Sequence, residues 1–149
     1  MSRRSEILAA LKTEIDKVSG LTVGGVMRSI DDLSSRGELP FASVQYALDR
    51  KELATLGGDS EKQGVLDVLA SVFVRDETNP VAALDAVFSN IEKEIDDDPR
   101  LGKTYPVFAR VVEAMMTVAT PEADEAGGAR YGVGEILIRV DYRHARGTP

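Results

Sequence analysis

Residues 132–149 read GVGEILIRVDYRHARGTP, and the middle of the stretch alternates. Ile136, Ile138, Val140 and Tyr142 point to one side, and Glu135, Leu137, Arg139, Asp141 and Arg143 to the other. A period of two, with one apolar and one mostly charged face, predicts a β-strand lying on a core. Such a strand needs a second layer over its apolar face. Residues 144–149 are expected to form a flexible tail.

Working outward, residues 107–119, VFARVVEAMMTVA, carry two signals. The run has no glycine or proline, and its Met and Ala residues favour helix. Yet Val111, Glu113, Met115 and Thr117 alternate with Val112, Ala114, Met116 and Val118. Its place opposite the last strand selects strand. The linker TPEADEAGGARY, acidic and then glycine-rich, is longer than the usual hairpin loop of about 2–5 residues. Upstream, Asn79-Pro80 supplies a cap and a first-turn proline for a helix. Leu84, Val87, Phe88, Ile91 and Ile95 form its apolar stripe, and Pro99 ends it after Asp96, Asp97 and Asp98. Three aspartates there oppose the helix dipole and read most simply as a solvated acidic end.

Residues 65–76, VLDVLASVFVRD, predict a strand. Leu66, Val68, Ala70, Val72 and Val74 make one face, and Val65, Leu69 and Phe73 part of the other. Apolar residues on both sides mark a central strand covered at least partly twice. Residues 49–64 read as a polar connection turning near Gly57-Gly58, residues 41–48 as a short strand, and residues 31–40 as a loop. Residues 21–30 read as a first strand loosened by Gly24-Gly25. Residues 5–18 predict an amphipathic helix through Ile7, Leu8, Leu11, Ile15 and Val18, capped by Ser5 or its competitor Ser2 and stopped at Gly20. The order predicts one α+β domain over residues 1–149, a mainly antiparallel sheet with two helices packed on one face.

Composition fits a globular chain: 149 residues, 43% hydrophobic and 29% charged. A net charge of −7 argues against gripping DNA, although like charge lets DNA slide past without sticking. The absence of cysteine excludes disulfides, thiolate nucleophiles and cysteine zinc sites, and suits a cytoplasmic product. The first 18 residues lack a secretory apolar segment, and no run approaches the ~20 apolar residues of a membrane span.

Motifs that suggest chemistry do not complete. Gly102-Lys103-Thr104 lacks the phosphate-loop glycine, since Asp97 stands there, and Tyr105-Pro106 follow where a helix is needed. GGARYGVG has no strand before it and helix after it, so hairpin flexibility accounts for it better than dinucleotide binding. His144 is the only histidine, which leaves a triad or histidine metal cluster without its other members. Asp96, Asp97 and Asp98 are consecutive, whereas calcium loops space ligands at alternate positions. Met115, Met116 and the tyrosines read as core or strand surface rather than a platform for bases. No cofactor is expected.

An alternating strand, the helix NPVAALDAVFSNIEKEIDDDPRLGK, a further strand, a glycine-bearing loop and GVGEILIRVDYR follow in that order. This order resembles the tail terminator, or tail-completion, proteins of long-tailed phages. The helix ending in DDDPRLGK, the closing strand of form E-I-x-I-x-V-x-Y-R, the N-terminal helix and LPFASVQY carry the resemblance. It implies an α+β structural virion protein at the head–tail junction, assembled in the host cytoplasm without cofactor or membrane. Its hexameric ring would cap the head-proximal end of the tail tube, meet the tail tube protein and the head–tail connector protein, and let DNA through its lumen. In such a ring Arg139, Arg143 and Arg146 would meet Asp96, Asp97 and Asp98, or Glu122, Asp124 and Glu125, on the next subunit, fixing register. These nine residues are the candidate subunit or tail-tube interface. Other readings are another neck component, such as a head-completion or head–tail joining protein, a soluble module with an apolar pocket, and an enzyme with two acids converging in a cleft.

The 120–132 loop, with the 49–64 connection, is expected to contact the last tube ring or an adjacent subunit, because a partner offsets the ordering cost of a glycine-rich charged segment. Replacing residues 122–129 with an Asn-Gly turn is expected to preserve the fold and to give tails of uncontrolled length or tails that cannot join heads. Complementation of a deletion with normal tails would reduce the loop to a connector.

Overall fold

A computed structural model describes residues 2–24, 39–53, 61–76, 78–119 and 131–145. Along the chain run α1 (Arg3–Asp16), β1 (Thr22–Gly24), β2 (Phe41–Leu53), β3 (Glu61–Arg75), α2 (Pro80–Asp97), β4 (Val107–Ala119) and β5 (Tyr131–Ala145). Among the described residues five strands form one sheet, in the order β1-β2-β3-β5-β4. β1 runs parallel to β2, and every other neighbouring pair is antiparallel. β5 therefore sits between β3 and β4, which run in the same direction.

Both helices cover one face. Ile7, Leu11 and Ile15 of α1 and Leu84, Phe88, Ile91 and Ile95 of α2 close over Leu66, Val68, Ala70 and Val72 of β3 and over Ile136, Ile138, Val140 and Tyr142 of β5. A 14-residue helix is marginal alone in water. Three fully buried aliphatic side chains, at about 1.5–3 kcal/mol each, hold α1 down instead. The predicted stripe of α2 is as expected, with Val87 only half-buried. The opposite face is closed at one end, where Phe41 and Phe73 pack with Leu39 and Val133, while Val65 and Leu69 are half-buried.

The segment 107–119 is a strand. Several boundaries differ from expectation. β2 runs on to Leu53 and β3 begins at Glu61, so residues 49–53 and 61–64 are sheet rather than polar connection. Their polarity is met by pairing across the sheet: Asp49 lies opposite Leu66 and accepts from Tyr142, and Arg50 reaches Asp67. Ser2, not Ser5, caps α1, its Oγ accepting from the Ser5 amide at 3.2 Å. This begins the helix two residues early and makes Ser5 helical. β5 continues through Ala145, so His144 and Ala145 belong to the strand rather than to a tail. Residues 25–38, 54–60 with their Gly57-Gly58 turn, 120–130 and 146–149 lie outside the described residues.

α2 is set by a double cap. The Asp76 carboxylate accepts the amides of Thr78 at 2.8 Å and Asn79 at 2.7 Å, and Asn79 accepts from Ala82 at 3.1 Å. The helix then presses directly onto β5. A Cβ at Gly132 would lie 2.7 Å from the Pro80 carbonyl oxygen, and one at Gly134 would lie 2.5 Å from the Met115 carbonyl oxygen of β4, 2.7 Å from the Phe88 ring and 2.9 Å from Leu84. The glycines of GVG are thus explained by close approach within the strand, of α2 at both and of the β4 backbone at Gly134, rather than by the hairpin flexibility expected of them. Gly134→Ala is expected to destabilise the fold by about 1–3 kcal/mol, the usual range for overpacking. An unchanged denaturant midpoint would show that α2 rides clear of the strand.

Candidate functional site

The outer sheet face, away from the helices, carries the charges seen in the closing strand. Register brings Asp67 of β3 opposite Arg139 of β5, and Arg139 opposite Arg110 of β4. Two like charges directly opposed destabilise a sheet. Two aspartates offset this. Arg139 donates to Asp67 through Nε at 2.9 Å and through its terminal nitrogen at 3.3 Å. Arg110 donates to Asp141. Arg50 of β2 also reaches Asp67, at 3.5 Å. Asp67 is only 7% exposed. The hydrogen bonds from Arg139, with the charges of Arg139, Arg50 and Arg110, outweigh its burial and hold its carboxyl below the usual range. The same hydrogen bonds and charge keep Arg139 more firmly protonated.

The nine candidate interface residues divide accordingly. Arg139 is engaged within the chain, whereas Arg143 is exposed at the end of the same face, opposite Gln63. Asp96 and Asp97 are exposed in the last turn of α2, and Asp98 caps it, half-buried. These acids lie on the helix layer and the arginines on the outer face, so one chain does not bring them together. Arg146, Glu122, Asp124 and Glu125 lie outside the described residues.

Two further clusters join α1 to its surroundings. Tyr142, 1% exposed, donates to Asp49 at 2.8 Å, and Arg4 approaches the same carboxylate at 3.4 Å. A hollow of about 480 Å³ opens beside them between Ser2, Ser5 and residues 47–49. At the other side, the Arg3 guanidinium stacks 3.6 Å from the Tyr105 ring centre, and the Tyr105 hydroxyl donates to Glu6 at 3.2 Å. Burial raises the Tyr105 pKa.

The sequence reading did not single out Phe108 and Val112 among the exposed apolar side chains of β4. Phe108 is 51% exposed and Met115 58%, with Val112 and Met116 beside them. The reading of Met115 and Met116 as core or strand surface resolves to strand surface, and among the described residues β4 stands at the sheet edge. Among the described residues no three metal-ligating side chains cluster, and no helix is long and apolar enough to cross a membrane. No protein-family model matches the chain, and no curated protein matches it.

The Asp67 shift gives stability a defined pH dependence. Its folded pKa is depressed, so the stabilisation is complete above the unfolded value of about 3.9 and is lost as pH falls through the lower folded value. Asp67→Asn is expected to cost about 1–3 kcal/mol near pH 7 and to flatten the acid limb of a melting-temperature profile below pH 4. An acid limb equal to that of the parent would place the titration elsewhere.

Proposed function

We propose that the chain is a ring-forming structural protein of a phage tail, the tail terminator. One observation carries this reading: the acids of α2 and the exposed Arg143 lie on opposite layers of the fold. α2 holds five carboxylates against one lysine, while Arg143 stands exposed on the outer sheet face beside Arg139. A contact that joins these patches between copies is head-to-tail, the kind that closes into rings when the rotation fits. Opposed charge would set the register and speed the encounter more than it adds affinity. Support also comes from the order of elements on which the resemblance rests, which the fold reproduces.

In this role the ring stops the tube from lengthening and offers the filled head its attachment surface. The net charge of −7 fits a channel that DNA traverses without being held. Imaging of intact particles is the direct test, with six-fold density containing this chain expected at the head-proximal tube end. Density in another ring of the neck would make it a head-completion or joining protein, and no density in the particle would end the structural reading. Purified protein is expected to leave DNA unretarded at moderate salt. Retention that weakens steeply with added salt would indicate a true nucleic-acid role.

A further inference from the structure

β4 is bonded to β5 along one side, and nothing pairs its other side among the described residues. A free edge of 13 residues is a template for another strand. The sequence along it, VFARVVEAMM, is self-complementary in reverse. Phe108 mirrors Met115, Ala109 mirrors Ala114, Arg110 mirrors Glu113, and Val111 mirrors Val112.

In an ordinary strand this mirror would be useless. Residues an odd number apart point to opposite faces, whereas residues opposed across an antiparallel pair share a face. Here the register passes from Val111 opposite Ile138 to Glu113 opposite Leu137, with Val112 as an inserted residue. That bulge reverses the alternation. Phe108 and Arg110, beside Asp141 and Arg139, face outward before it; Glu113 and Met115, beside Leu137 and Glu135, face outward after it. Ala109 and Ala114 correspondingly share the helix side.

We propose that β4 docks a second copy of this chain, edge to edge and antiparallel, about a two-fold axis between Val111 and Val112. Arg110 then opposes the partner's Glu113 twice, and Phe108 opposes the partner's Met115 twice, on one continuous outer face. Charge complementarity selects the occupant. A slide of one residue fails on facing, and a slide of two sets Arg110 opposite Met115 or Phe108 opposite Glu113. Arg110 keeps Asp141 within its own chain and shares its remaining donors with the partner's carboxylate. The contact is two-fold rather than head-to-tail, so it stands or falls independently of the proposed ring.

The absence of cysteine makes the test clean. Phe108→Cys and Met115→Cys variants are mixed and treated with a short bismaleimide, and the products are weighed by mass spectrometry. Residues opposed across the axis have Cβ atoms about 5 Å apart, whereas a residue and its own copy at these positions are about 20 Å apart. The mixture is expected to yield the mixed dimer, and either variant alone only monomer. Self-cross-linking as efficient as the mixed product, or no cross-linking at all, overturns the proposal. In sedimentation, Glu113→Arg is expected to weaken dimerisation of the otherwise unaltered chain by about tenfold or more, as two like-charge pairs replace two opposite ones. Dimerisation equal to the parent's, or a parent that stays monomeric at all concentrations, overturns it as well.

Discussion

Inward-facing residues of β3 lie opposite inward-facing residues of β5: Leu66 with Val140, Val68 with Ile138, Ala70 with Ile136. This ladder is the constraint on which the rest depends, since it aligns two apolar faces into one surface wide enough for both helices. Its register has a second effect. A slip of one residue would turn every side chain to the other face, burying Asp67 and Arg139 in the core. The same alignment that builds the core therefore creates the Asp67–Arg139 pair on the outer face and sets the Tyr142 ring against Gly64.

The faces of β3, α2 and β5 were legible because each carries its own period. Leu66 to Val74 and Ile136 to Tyr142 needed no partner to declare their side. Strand ends were not legible. Asp49 and Arg50 look like loop because their charges are satisfied by residues distant in sequence, Arg4 and Tyr142 for Asp49 and Asp67 for Arg50. Gly132 and Gly134 misled in the same way. Two glycines on one side of a strand signal a helix pressed close, but only once the strand is known to lie beneath Pro80 and Phe88.

The candidate site divides along similar lines. A charged face on β5 could be read directly from alternation. That Arg139 would be engaged by Asp67 could not, because the pairing depends on register between strands separated by a helix and another strand. Nor could the position of Phe108 at the rim be foreseen. A hairpin of β4 and β5 can join a sheet by either strand, and only the choice of β5 leaves β4 at the rim. The Val112 bulge leaves even less trace, since a β-branched apolar residue is ordinary in any strand.

The insertion of β5 between two strands of common direction also governs how the molecule opens. β3, α2 and β4 are consecutive, yet β3 and β4 share no ladder, and each is bonded to β5 instead. Withdrawing β5 cuts two ladders at once and leaves β4 held to the body by α2 alone. The β4–β5 hairpin as a whole, by contrast, is joined to the rest of the sheet by the single β3–β5 ladder. That ladder is therefore the seam whose opening exposes the core beneath both helices, and β5 amides bonded to β3 are expected to exchange no faster than that opening allows.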